Sequence, residues 1–187
     1  MRLEDPIQEV KRLKRCINDV VSVVALSAMW AGSEPSQVVR TLIDVLLGVL
    51  DLDLVYALLK DANGEPLIEM VRVSSVWEVA PQPQELGAVL HKWLGDNPQE
   101  WPSVVQKPFR ERDISIVPLR LGLHYEFGLI VAGSQRTDFP QQTERLILNV
   151  ASNQAAIELQ EARILREQKN IAHELERQVA ERTHCIV

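Results

Sequence analysis

DFPQQTERLILNVASNQAAIELQEARILREQKNIAHELERQVAER, residues 138–182, is the stretch on which the architecture turns. It contains no glycine, and its single proline, Pro140, falls in what would be a first helical turn, where a helix accommodates it. Nearly every other residue is a tolerable or good helix former. Asp138 or Thr137 is placed to cap the start by accepting a backbone N–H. At about 1.5 Å per residue such a helix is roughly 65 Å long, against roughly 30 Å for the width of a small domain. The helix therefore projects from whatever it is attached to.

Working back from that rod, Gly133-Ser134-Gln135-Arg136 reads as a loop. Before it, Ile114 to Leu121 (ISIVPLRL) and Tyr125 to Ala132 (YEFGLIVA) form a hairpin around Gly122-Leu123-His124. Pro118 inside the first of these strands predicts an edge position or a bulge. Residues 76–113 hold five of the ten prolines and three of the four tryptophans. They read as an irregular connection with one short helix, Pro83 to Leu94, and a short strand at Ser103 to Gln106. Long aromatic-rich connections of this kind are functional or mobile.

Asp53 to Lys60 (DLVYALLK) and Leu67 to Ser75 (LIEMVRVSS) are strands joined by a turn with the Asn63-Gly64 hairpin signal. Glu69 and Arg72 do not share a face of the second strand, so its alternation is imperfect. The chain opens with two helices. In residues 6–30, Ile7, Val10, Lys14, Ile17, Val21, Val24 and Ala28 recur at spacings of three and four, forming one stripe that Lys14 interrupts. Gly32 and Pro35 separate it from a second helix, about 35–50, whose Val38, Leu42, Val45, Leu46 and Val49 make a broad apolar face. The order predicts an α+β fold: an antiparallel sheet with helices packed on one face.

The chain has 187 residues, 46% hydrophobic and 25% charged, which is enough to bury a core. A net charge of −6 argues against nucleic acid as an electrostatic partner, and the basic run KRLKR (Lys11 to Arg15) is short and sits in a helical pattern. Cys16 and Cys185 lie near opposite ends and suggest no disulfide framework. The apolar run Val20 to Gly32 is too short to span a bilayer, Thr41 to Leu59 carries three aspartates, and residues 1–19 are too charged for a secretory signal. These features predict a cytoplasmic chain with no membrane span.

Val117-Pro118-Leu119-Arg120, the small turn, and Phe127-Gly128-Leu129-Ile130-Val131-Ala132-Gly133-Ser134 resemble the final hairpin of GAF domains. Phe139 to Ala156 resembles their last helix, and the Ser33-Glu34-Pro35 helix and Asp53 to Lys60 strand resemble their opening elements. The match covers roughly residues 25–160 and is similar to the N-terminal GAF module of bacterial multidomain sensor histidine kinases. In those proteins a run like Leu175-Glu176-Arg177-Gln178-Val179-Ala180-Glu181-Arg182-Thr183 continues as a signalling coiled coil into PAS or kinase domains. The resemblance implies about six antiparallel strands, helices behind them, and a ligand pocket on the other face covered by residues 76–113. It implies a small-molecule ligand in some members and none in others.

Several activities of that family leave checkable marks. The Asn-Lys…Phe…Asp-Glu signature of cyclic-nucleotide binders is absent, and the domain interior holds no cysteine for bilin attachment or redox chemistry. No metal cluster is visible, since a lone histidine makes no zinc site. His91, in the short helix, is a haem-ligand candidate or an ordinary helix histidine, and His124 sits in a turn. His173-Glu174-Leu175 resembles a phosphoacceptor stretch but lacks the Arg-Thr-Pro continuation and reads as rod surface. The scattered carboxylates form no acid/base pair, so no catalytic residues are assigned. Trp77, Trp93, Trp101 and Phe109, with His91, are the candidate pocket walls; core beneath a loop region is the other reading. Trp30 reads as packing.

From Leu165, the stripe Leu165, Gln168, Ala172, Leu175, Val179, Arg182 has coiled-coil spacing over too few heptads to stand alone. It is a dimer seam, together with Ile17, Val21 and Val24, or one face of a helix folded back on helix 6–30, or both, in a dimer whose N- and C-terminal helices form one four-helix bundle that buries both stripes. The division expected is residues 1–32 as an N-terminal dimer helix, 33–160 as the GAF domain, and 161–187 as a signalling linker. The function expected is a sensory and dimerisation module of a signal-transduction protein, homodimeric, with no enzyme activity of its own. The alternatives are a ligand-free structural dimerisation module and a small enzyme on the same scaffold.

Overall fold

The structure, a computed structural model, describes residues 6–109 and 112–184. The elements are α1 (Pro6–Trp30), α2 (Pro35–Val49), β1 (Leu54–Lys60), β2 (Pro66–Val73), α3 (Pro83–Leu94), β3 (Val105–Phe109), β4 (Arg112–Leu121), β5 (Gly128–Ser134) and α4 (Gln142–His184). Five antiparallel strands run in the order β2-β1-β5-β4-β3. The sheet thus has five strands among the described residues where the resemblance implied about six. Two hairpins, β1–β2 and β4–β5, meet where β1 pairs with β5, which places the all-buried strand β5 at the centre.

The two faces of the sheet carry two cores. Odd-numbered residues of β1 (Val55, Ala57, Leu59) and of β4 (Val117, Leu119, Leu121) pack against α1, α2 and α4. Even-numbered residues (Leu54 and Tyr56; Ile114 and Ile116) face Leu86, Leu90 and Leu94 of α3. The helices α1, α2 and α4 thus pack on one face, and α3, within the 76–113 segment that the resemblance set over the other face, covers that one. Strand periodicity reports that both faces are apolar and not which helix covers which. The broken alternation of β2 has the same cause. Arg72 faces the first core and pairs with Asp44 of α2 at 2.7 Å, while Glu69 faces the second and accepts the Tyr56 hydroxyl at 3.2 Å.

Pro118 pairs with Val131 of β5, but β3 reaches along β4 only to Ile116. Pro118 therefore lies on a locally open edge, where its missing N–H leaves no ladder bond unmade. β5 starts at Gly128 rather than Tyr125, because Tyr125 (φ 66°) and the Glu126 side chain, which accepts the His124 N–H at 2.7 Å, extend the turn. His124 is exposed in that turn.

The long helix begins at Gln142, not at Asp138, and neither Asp138 nor Thr137 caps it. The Phe139–Pro140 bond is cis, so Pro140 belongs to the approach rather than to the first turn. Glu144 reaches back to accept the Gln141 N–H at 2.7 Å, the acidic half of a capping box. Its other oxygen is bonded to Arg136, which also donates to the Leu50 carbonyl at 3.4 Å. Asp53 accepts from Ser134 Oγ (3.1 Å) and the Gln135 N–H (2.7 Å). The root of α4 is thereby tied to the end of α2 and the ends of β1 and β5.

Along α4, Ile147, Leu148, Ala151, Ala155 and Leu159 are buried in the first core. No side chain from 160 to 179 is buried. Glu34, just beyond α1, pairs with Arg166 at 3.3 Å. Because α1 packs against α4 and its Val23, Leu26 and Trp30 are buried, it must lie along the part of α4 that precedes residue 160. The two helices consequently run in the same direction, and the exposed half of α4 continues past the end of α1 rather than folding back on it.

Candidate functional site

The face that the sequence reading assigned to a ligand is the one between α3 and the sheet. Pro83 starts α3, and Leu86, Leu90 and Leu94, at helical spacing, all point at the sheet. Gly87 sits directly over Tyr56: an added Cβ would stand 2.6 Å from its hydroxyl and 2.9 Å from Glu69 Oε2. That close approach lets the helix descend until Leu86, Leu90, Tyr56, Ile116 and Val131 are each at most 3% exposed. At the centre of this face the side chains beneath α3 are closely packed.

The aromatic residues surround this packed centre as half-buried side chains. Trp77 and Trp93 both contact Phe109, with ring centroids 5.6 and 5.8 Å apart. Trp101 belongs to a second group: it meets Tyr125 at 5.2 Å and donates its indole N–H to the Gly95 carbonyl at 3.0 Å. Lys60 Nζ stands 3.6 Å above the Tyr125 ring. His91 joins neither group; it is exposed and lies 2.7 Å from Asp96. Four of the five candidate wall residues therefore pack on one face, in two groups, and His91 faces solvent. His173 is likewise exposed on the rod, 3.7 Å from Glu176.

Tyr56, Glu69, Gly87, Lys60 and Tyr125 were not singled out from sequence. Tyr56 was the one with a signal, as a polar-tipped aromatic on the even face of an apolar strand. Burial foremost, and then the Glu69 carboxylate, push the Tyr56 phenol far above its ordinary value, and burial raises Tyr125 as well. Burial also lowers Lys60. For both phenols the folded value exceeds the unfolded one, near 10. Their contribution to stability is intact below about pH 10 and is lost as pH rises above it. Tyr56→Phe is expected to flatten the alkaline fall in stability between about pH 10 and 11.5. Urea unfolding at several pH values checks this, and an unchanged slope would refute it.

Three concavities lie elsewhere. A cleft of about 550 Å³ separates the α1–α2 turn from residues 158–173 of α4. A cavity of about 150 Å³ lies under α4 near Leu159, and a groove of about 250 Å³ follows the open edge of β4. Among the described residues no His, Cys, Asp and Glu cluster fit to hold a metal occurs, and no helix is long and apolar enough to cross a membrane.

The seam candidates are individually exposed. Ile17, Val21 and Val24 of α1 and Leu165, Leu175 and Val179 of α4 are each 43–64% exposed, and Ala172 is exposed beside them. The face of α1 turned to the core is instead Val20, Val23, Leu26 and Trp30. Cys16 is a half-buried free thiol, and Cys185 lies outside the described residues.

No family model matches the chain, and no curated protein matches it. Among solved structures, the GAF domain of a candidate sensor histidine kinase from Pseudomonas syringae pv. tomato superposes with a TM-score of 0.60 at 15% identity. That match covers 88% of this chain and 99% of the other. A GAF domain in its photoproduct state from Synechocystis gives a TM-score of 0.48 at 16% identity, over 72% of this chain and 98% of the other. With the central antiparallel sheet, the three helices behind it and the α3 cover in front, the chain has the GAF fold.

Proposed function

We propose that this chain is a cytoplasmic GAF sensory and dimerisation module of a bacterial signalling protein, of the sensor histidine kinase kind. Its α4 would carry a conformational change to a following PAS or kinase domain. The carrying observation is the division of α4: among its described side chains the buried ones end at Leu159, while apolar residues continue on the exposed part as far as Val179. A rod that leaves the core with an apolar stripe suits a second copy of itself. The co-directional α1 supports the same reading, because Ile17, Val21 and Val24 extend the exposed surface alongside the first half of α4. This reading keeps the division into residues 1–32, 33–160 and 161–187 and assigns the segment no reaction of its own.

The close packing beneath α3 favours a second reading, in which the module dimerises without a ligand on that face. Both readings place the two α4 helices side by side in parallel. In a Cys16→Ser/Cys185→Ser background, Leu175→Cys is expected to form an intermolecular disulfide on mild oxidation. Nonreducing electrophoresis reads the outcome; a chain that stays monomeric at micromolar concentration would sink the dimer.

A further inference from the structure

The cavity of about 150 Å³ under α4 has a lining that neither the packed face behind α3 nor the dimer seam uses. Leu59, Leu67, Phe127, Leu159 and Ala162 make its apolar wall. An apolar cavity of about this size accepts a benzene ring. Its rim carries two cations, Arg163 and Arg166, in a chain whose net charge is −6; Lys60 also borders it, with its Nζ over the Tyr125 ring. The one carboxylate on the lining, Asp61, is oriented by the turn, its Oδ1 accepting the N–H groups of Asn63 (2.8 Å) and Glu65 (2.9 Å), which leaves two arginines against one carboxylate. Arg166 pairs with Glu34 across an exposed 3.3 Å contact, a kind of pair that contributes little. Arg163 donates to the neutral Ala62 carbonyl, at 3.4 Å.

The location matters as much as the lining. Leu159 is the last buried residue among the described side chains of α4, and Arg163 and Arg166 are hydrogen-bonded to the β1–β2 turn and to the start of α2. A molecule seated here touches the wall of the core and the point where the rod leaves it.

We propose that this cavity binds a small organic monocarboxylate with an aromatic or branched apolar body, its carboxylate held by Arg163 with Arg166 nearby. Its apolar body rests on Leu59, Phe127 and Leu159. Occupancy stiffens the exit of α4 from the domain by bridging the rod to the sheet and the β1–β2 turn. The signalling consequence rests on the module reading above; the binding does not.

Sodium benzoate serves as the probe, titrated calorimetrically into the full chain at constant ionic strength, with acetate and benzyl alcohol as controls. Saturable benzoate binding is expected, with a rise in Tm by mass action. Arg163→Gln, at a half-exposed position, is expected to weaken it about tenfold by removing a charge-assisted hydrogen bond. Ala162→Leu, which fills the cavity without changing charge, is expected to abolish it; circular dichroism checks that each variant is folded. Absence of saturable binding overturns the proposal, as does benzoate affinity unchanged in both variants. Equal affinity for benzyl alcohol overturns the anion assignment. If the Leu175→Cys disulfide forms while benzoate fails to bind, the cavity assignment falls alone; if benzoate binds and the disulfide fails, the module reading falls alone.

Discussion

Gly128→Ala is expected to destabilise the chain by about 3 kcal/mol, lowering Tm by roughly 10 °C. Gly128 has φ 127°, in a region that residues with a Cβ rarely enter. An added Cβ would stand 1.9 Å from the Leu58 carbonyl oxygen, which is backbone and cannot swing aside. The residue also pairs with Leu59 on one side and Leu121 on the other, so relief at this point pulls β5 away from a neighbour at the centre of the sheet. Gly48, on α2 with open space where its Cβ would be, is the control. There alanine is expected to stabilise by about 0.5–1 kcal/mol through helix propensity. Urea unfolding of the two variants reads both effects, and a Gly128→Ala chain within 1 kcal/mol of its parent would contradict this account.

The second large effect concerns association. A chain ending at Gln160 keeps every α4 residue found buried among the described side chains, Leu159 being the last of these. Its Tm, measured at a concentration where both chains are monomeric, is expected to lie within a few degrees of the parent. Its dimer dissociation constant is expected to rise at least about a hundredfold. Leu165, Leu175 and Val179 of each protomer would lose their burial, and a fully buried aliphatic side chain contributes about 1.5–3 kcal/mol against about 2.7 for a hundredfold change. Sedimentation velocity across concentrations measures this. An unchanged dimer would move the seam to α1 alone, and an unfolded fragment would show that the exported half supports the core.

Much of the fold was legible because its elements obey local rules. Pro35 and Pro83 mark first turns, Gly32 and Gly95 follow helix ends, and Asn63-Gly64 closes a hairpin, each for reasons contained in a few residues. Pro83 to Leu94 was placed with both its ends right. The start of the long helix was misplaced because Asp138, Thr137 and Pro140 offer an adequate cap by themselves. The cap actually formed uses Glu144, whose partner Arg136 is positioned by the ends of α2 and β5. The aromatic residues of the connection were identified as a set, but their division between Phe109 and Tyr125 depends on where the β4–β5 turn places Tyr125.

The sequence by itself determined the order of elements, the two apolar faces of each central strand, and the excess length of the final helix. Those properties follow from periodicity, propensity and residue count, and no distant contact alters them. Tertiary structure decided which stripe of α1 enters the core, that Gly87 admits α3 onto Tyr56, and that the core's hold on α4 ends at Leu159. Val20, Val23, Leu26 and Trp30 compete with Ile17, Val21 and Val24 on the same helix at nearly equal apolarity. The choice between them is made by the shape of α2, α4 and the sheet against which one stripe can close-pack, which the helix alone does not contain.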